Sequence, residues 1–247
     1  MDLGIAGKRA VVAASSGGLG RGVALALGQA GCEVVVSGRD TDRLAAAAAD
    51  VPNSHPVTGD VATVDGALAF ITAARAELGG IDILVTNGGG PPAGNFASTA
   101  WEQYQPALER SLLAMAAMVH ECVPHMQEDK WGRILAITSL SVRQPIPSLI
   151  LSNTGRAGLT GFLKTVALEV AGDGITVNTI QPGLHETNRI IEIYGGDTSS
   201  AGAAIPAGFI GDAEDFGRVG AFLCSDSAKF ITGASLHVDG GAYGALQ

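Results

Sequence analysis

A chain of 247 residues, 47% hydrophobic and 16% charged, has enough apolar material for one large core, which favours a single α/β domain over two small ones. Its 24 acidic and 15 basic residues leave a net charge of -9, a balance that argues against a nucleic-acid surface and for a small ligand over a polyanionic partner. No polar-free stretch is long enough to span a bilayer and nothing reads as an export leader; Cys32, Cys122 and Cys224 lie far apart without metal-ligand spacing, so the expectation is a cytoplasmic, metal-free protein with buried free thiols.

The first informative stretch spans residues 8–31. An apolar run from Ala10 to Ala14 breaks into a Ser/Gly turn and then into an Ala/Leu-rich segment of helical spacing, which reads strand, tight turn, helix. Ser15, Ser16, Gly17, Gly18, Leu19 and Gly20 are the candidate residues for a nucleotide's pyrophosphate. Glycines allow close backbone approach, and the unpaired N–H groups of the following helix favour negative charge. The same turn also suits a tight strand-to-helix connection without a ligand.

Glu33 to Ser37 reads as a second strand, followed by Gly38-Arg39-Asp40. A dinucleotide unit that prefers NAD places an acid near this point, and an acid repels a 2′-phosphate. Arg39 can pair with one, so NADP is expected over NAD; a solvated loop charge is the alternative, and Asp40 keeps it open. Residues 41–50 have strong helix propensity. His55 to Thr58 is a short strand leading to Asp60 and Val61, which either meet the ligand or, through Asp60, cap the helix expected over 63–78. Ile81 to Thr86 is the fourth strand, and the Asn87-Gly88-Gly89-Gly90 run behind it again suggests backbone close to a ligand.

Trp101 to Gln127 reads as one long helix, with Pro106 near its start and Pro124 near its end. That segment and 152–171 carry more apolar residues than one core-facing stripe requires. A homo-oligomer, a dimer or tetramer joined through the helices at about 106–128 and 152–171, is therefore expected. Arg133 to Thr138 and Ile175 to Ile180 are strands five and six, ending in Ser139-Leu140-Ser141 and Gln181-Pro182-Gly183. The weakly periodic segment 186–211 reads as a mobile lid. A helix over 212–225 and a last strand from Ala234 to Val238 complete a seven-stranded, mostly parallel, doubly wound sheet with helices on both faces, a single Rossmann-like domain over 1–247.

In this order the pieces resemble a short-chain dehydrogenase/reductase of the 3-oxoacyl-carrier-protein reductase type over essentially the full chain. The resemblance rests on the Ser15–Gly20 turn, Asp60-Val61, Asn87-Gly88-Gly89, Ser139, Val177-Asn178, Pro182-Gly183, Thr187 and the run from Phe230 to Gly241. It implies a nicotinamide cofactor, hydride exchange with a carbonyl or alcohol, and cofactor contacts from these glycines and from Asn87, Pro182, Gly183 and Thr187.

The departures bear on the chemistry. Such proteins carry an Asn, Ser, Tyr, Lys tetrad with Tyr four residues before Lys. Aligned on Ala157-Gly158, the Tyr position here is Ser152 and the Lys position Arg156; the Asn position is Ser111, and only Ser139 survives. Ala14 replaces the first glycine of the cofactor turn. The stretch from Ser141 to Asn153 resembles a divergent bacterial subgroup that shares the tyrosine-less pattern. A phenol with a lowered pKa normally hands over the proton, whereas a serine is a far weaker acid and a guanidinium does not shuttle protons. Arg156 can instead hold the nicotinamide ribose or an oxyanion, with Ser139 as a second donor. Ser152 is a pocket hydroxyl or a helix cap, and Arg143 a second pocket cation or a loop charge. His185, Glu186, Tyr104 and Tyr194 are weaker proton-transfer candidates. Three functions follow: an NADP-dependent reductase of a carbonyl, enone, quinone or iminium; a non-redox cyclase, isomerase or dehydratase; or a catalytically silent cofactor-binding protein.

Overall fold

The computed structural model describes residues 2–187, 190–191 and 198–246. Seven strands, β1 (Arg9–Val12), β2 (Glu33–Gly38), β3 (Ser54–Thr58), β4 (Ile83–Thr86), β5 (Gly132–Ile137), β6 (Ile175–Pro182) and β7 (Ser235–Val238), form one sheet in the order β3-β2-β1-β4-β5-β6-β7. Every pairing is parallel, which the helices returning the chain between successive strands require. The order reverses between β1 and β4, and the chain therefore leaves a crevice at the carboxyl ends of those two strands.

Both faces of the sheet are covered. On one side α3 (Val64–Leu78), α5 (Ala114–Asp129) and α6 (Ile150–Val170) bury Phe70, Ile71, Met118, Leu159 and Leu163 against Val11, Leu84, Ile134 and Val177. On the other, α1 (Gly18–Gln29), α2 (Thr41–Asp50) and α8 (Ala213–Leu223) bury Leu27, Leu44 and Phe216 against Val12, Val36, Ile83 and Ile180. Successive strand residues thus point into opposite cores, the reason these strands read as continuous apolar runs. None of the helices among the described residues is long and apolar enough to cross a membrane.

Three helix starts are set by local side chains. The Asp40 Oδ1 accepts from Arg43 N at 2.9 Å and caps α2; Asp212 Oδ1 accepts from Glu214 N and Asp215 N and caps α8. For α3 the cap is Thr63, whose Oγ1 accepts from Gly66 N at 3.1 Å. Asp60, three residues earlier, instead tightens its own turn by accepting from Ala62 N at 3.0 Å. The helix expected to begin at Ser152 begins at Ile150, so Ser152 lies inside its first turn and does not cap it.

The stretch expected as a single helix from Trp101 to Gln127 is built in pieces. A 3-10 turn (Trp101–Gln103) leads into α4 (Tyr104–Leu108), then into a π-helical turn at Glu109–Leu113, and finally into α5. A π turn holds one extra residue and rotates whatever follows it, a distortion often found beside functional sites. In the segment 186–211 the described part includes α7 (Ser199–Ala203). Its two ends meet: Glu186 N donates to Gly211 O and Gly211 N to Leu184 O. Tyr194 falls outside the described residues.

Candidate active site

The crevice above the switch between β1 and β4 opens into a cleft of about 1070 Å³. Its walls are the turn after β1, the ends of β2 and β3, the glycine run after β4, and Ser139, Ser152 and Arg156. Four arginines, Arg39, Arg43, Arg110 and Arg156, and two aspartates, Asp40 and Asp60, line it. A chain of net charge -9 has gathered a positive excess here, the polarity a phosphate-bearing ligand needs.

The turn after β1 is held by two serines that do not face the ligand space. Ser15 is fully buried: its Oγ donates to Val12 O at 2.7 Å and accepts from Ser37 N at 2.9 Å. Ser37 Oγ accepts from Ala14 N at 2.8 Å. These bonds strap β1 to β2 and leave Ser16, Gly17, Gly18 and Leu19 on the cleft wall. Ala14 stands in the left-handed region at φ 48, a conformation that glycine adopts without strain and alanine does not. Its carbonyl is bound by Asn87 Nδ2 at 3.1 Å. Gly20 faces this contact from behind, where a methyl group would come within 2.6 Å of Asn87 Nδ2, so its role is close packing and not lining. A methyl group on Gly18 would sit 3.6 Å from Thr187 Cγ2, which makes the α1 N-terminus, whose free N–H groups favour an anion, and Thr187 neighbours on the cleft wall.

At the end of the cleft formed by β2 and β3, Arg39 is 72% exposed in its side chain and its Nη1 lies 3.6 Å from Asp60 Oδ2. Arg43, one turn into α2, also reaches this wall; its Nη2 would be 3.5 Å from a methyl group on Gly17. Arg43 was not evident from the sequence, although its place on the first turn after the Asp40 cap aims it back at the strand ends. Val61, Gly88 and Gly89 complete this part of the cleft, and Gly88 sits so close to Met115 that a methyl group would come within 2.6 Å of Met115 Cε.

At the far end, Ser152 and Arg156 lie one turn apart on α6 and face the cleft with Ser139. Ser139 Oγ accepts from Ser141 N at 3.1 Å, so its own hydroxyl proton can be donated elsewhere. Arg156 Nη1 donates to Ile137 O at 2.8 Å and Thr138 O at 3.0 Å, which pins the guanidinium at the end of β5. Ser111 is buried under this end with its Oγ lacking a protein partner, and α6 approaches so closely that a methyl group on Gly155 would meet Ser111 Cβ at 2.7 Å. Pro182 and Thr187 close the floor.

Several expected residues stand elsewhere. Arg143 is exposed and does not line the cleft; its neighbour Gln144 accepts from Gly244 N, which places that loop on the C-terminal segment. Gly183 also lies off the wall, packed where a methyl group would meet Asp239 Cα at 2.7 Å. His185 is 4% exposed, with Nδ1 3.3 Å from Gly183 O and its ring edge-on to Phe216. Burial pulls its pKa below the ordinary histidine value, and neither it nor Glu186 nor Tyr104 lines the cleft.

Comparison with known proteins agrees with this geometry. The family model described as enoyl-(acyl carrier protein) reductase matches residues 13–243. The 3-oxoacyl-(acyl-carrier-protein) reductase FabG of Escherichia coli strain K12 is 33% identical over 243 residues, 96% of this chain and 98% of that protein. Human dehydrogenase/reductase SDR family member 4 is 33% identical over 245 residues, 96% and 88% of the two chains. The crystal structure of L-sorbose reductase from Gluconobacter frateurii, complexed with NADPH and L-sorbose, superposes with a TM-score of 0.93 at 33% identity over the whole of both chains.

Proposed function

The chain belongs to the short-chain dehydrogenase/reductase family and is a short-chain oxidoreductase, and from that premise we propose that it is an NADP(H)-dependent enzyme acting on a carbonyl, enone, quinone or iminium small molecule without the Tyr/Lys pair. The observation that carries this reading is the end of the cleft where Ser139, Ser152 and Arg156 converge, with no tyrosine or lysine on the wall among the described residues. The dinucleotide, when bound, supplies the hydride. Gly18 and Thr187 fit its diphosphate, and Ser16, Arg39 and Arg43 fit a 2′-phosphate; the NADPH in L-sorbose reductase supports the same choice.

The protein's own part is electrostatic. Arg156, pinned on two carbonyls of β5, and the Ser139 hydroxyl hold the acceptor oxygen as charge develops on it. Neither group is a competent acid near neutral pH. A ketone would therefore forgo a general-acid contribution of about 10²- to 10⁴-fold. A conjugated carbonyl acceptor spreads the charge over more atoms and so suits the site best; an iminium needs no acid, because it loses charge as hydride arrives, but it gains nothing from Arg156.

The three buried free thiols suit a reducing cytoplasm. Leu168, 73% exposed on a face of α6 that also carries Ala157, Gly158 and Gly161, and Leu113, 50% exposed before α5, support a homo-oligomer through these helices, since small residues let helices approach closely. The test of function is a panel of ketones, enones, quinones and cyclic imines with NADPH, followed by absorbance and by product analysis. Loss of NADPH with at least one class is the expected result. Product without NADPH consumption would establish a non-redox enzyme, and tight NADPH binding with no conversion of any class would overturn the catalytic reading.

A further inference from the structure

Arg110 is unexplained by anything above. It lies within the π turn Glu109–Leu113 and lines the cleft, with Nη1 3.9 Å from where a methyl group on Gly89 would stand. Among the described residues it makes no hydrogen bond or ion pair. Its neighbours fix where along the cleft it acts. Glu109 Oε1 accepts from Val64 N at the start of α3, beside the adenosine wall. Ser111 packs on Gly155 of α6, beneath Ser152 and Arg156. Arg110 projects between the two, over the glycine run that follows β4, where the strand order reverses. A dinucleotide crosses an open α/β sheet at that reversal, and its middle is the diphosphate.

Resting on the dinucleotide reading of the cleft, we infer that Arg110 binds the diphosphate segment of the cofactor from the wall opposite the α1 N-terminus. The diphosphate would then be held from two sides: by backbone N–H groups at Gly17–Leu19 and by a guanidinium whose fork matches phosphate oxygens. The π turn gives the mechanical reason, because the extra residue turns position 110 away from the regular helical face and toward the glycines. Glycine at 89 keeps that space clear of side-chain carbon atoms. The role differs from that of Arg39 and Arg43, which stand at the adenosine end and would discriminate between the two nicotinamide cofactors; Arg110 would serve both alike.

Titration of NADPH and NADH into the full-length protein, followed by cofactor fluorescence at two salt concentrations, tests this with Arg110→Met and Arg110→Lys beside the wild type. The expected result is a Kd raised about 10- to 100-fold for both cofactors in Arg110→Met, the range for a lost bond to a charged group. The NADPH-to-NADH preference should be unchanged and the salt dependence weaker. Arg110→Lys should fall between, and thermal melts without cofactor should match the wild type. Unchanged Kd values for both cofactors overturn the inference, as does weakening confined to NADPH, which would make Arg110 a 2′-phosphate ligand. A raised substrate KM at constant cofactor Kd also overturns it. A wild-type protein that binds neither dinucleotide sinks the cofactor reading itself, and the inference with it.

Discussion

Arg43 and Arg39 share the end of the cleft proposed for the adenosine, but not equally. Arg39 is largely exposed and already has Asp60 within 3.6 Å, so a 2′-phosphate must compete with that carboxylate and with water. Arg43 reaches the Gly17 wall from the first turn of α2. Arg43→Ala should therefore raise the Kd for NADPH about 10- to 100-fold with little change for NADH, and Arg39→Ala should do so less; paired titrations check both. Only Arg39 was legible in the sequence, because the spacing from the glycine turn points to the end of β2 and stops there. Arg43 depends on how Asp40 starts the helix, a geometry that no count of residues contains. The same limit applies to Ser15, which sits in the motif yet faces the β1–β2 seam, and to Arg143, which sits near Ser139 in sequence and away from the cleft in space. Ser139, Ser152 and Arg156 were legible as a group because two of them share a helix turn and the third ends the neighbouring strand.

Elements built from apolar runs were readable because the parallel strands are buried on both faces, and the strand count and parallel sense follow from the alternation of strands with helices; the spatial order, with its reversal between β1 and β4, came only from the structure. Helix interruptions were not. Nothing in Tyr104–Asp129 announces the π turn, which coincides with the close approach of Ser111 to Gly155 of α6, a tertiary contact that local sequence does not contain. Glycines within helices had a similar hidden meaning. A methyl group on Gly22 of α1 would come within 1.9 Å of Ala213 O, and one on Gly217 of α8 within 2.0 Å of Gly22 O. The two helices touch backbone to backbone at this point, and backbone cannot rotate away as a side chain can. Gly22→Ala should thus destabilise the fold by roughly 1–3 kcal/mol or more, despite the better helix propensity of alanine. Gly172→Ala, where a methyl group meets nothing within 4 Å, should be neutral and serves as the control. Urea unfolding of the two variants decides it, and equal midpoints would refute the contact.

At the scale of the whole molecule, histidines shape stability around neutrality from opposite sides, His55 on one and His185 with His237 on the other. His55, on the edge strand β3, has Nε2 3.0 Å from Glu33 Oε2 and Nδ1 3.0 Å from Glu77 Oε1. The bond to Glu33 first, then that to Glu77, raises its pKa against the lowering effect of burial. The folded state then holds this proton after the unfolded chain, with a histidine pKa of about 6.5, has released it. Its contribution is complete below about pH 6.5 and is lost as pH rises through the raised folded value. His185 behaves in reverse. Burial lowers its pKa, so its contribution is complete above about pH 6.5 and is lost as pH falls through the lowered folded value. Between them the two windows meet near the unfolded value, so unfolding free energy should peak close to pH 6.5. With His55→Gln the decline on the alkaline side should become shallower while the acid side is kept; His185→Gln should make the acid-side decline shallower, with His237 supplying a remainder, and keep the other. Denaturant titrations at half-unit steps from pH 5 to pH 8 measure the slopes. The acidic surplus of the chain cannot mimic this pattern, because general charge repulsion would tilt all three proteins alike, whereas each substitution should change the slope on only one side of the maximum.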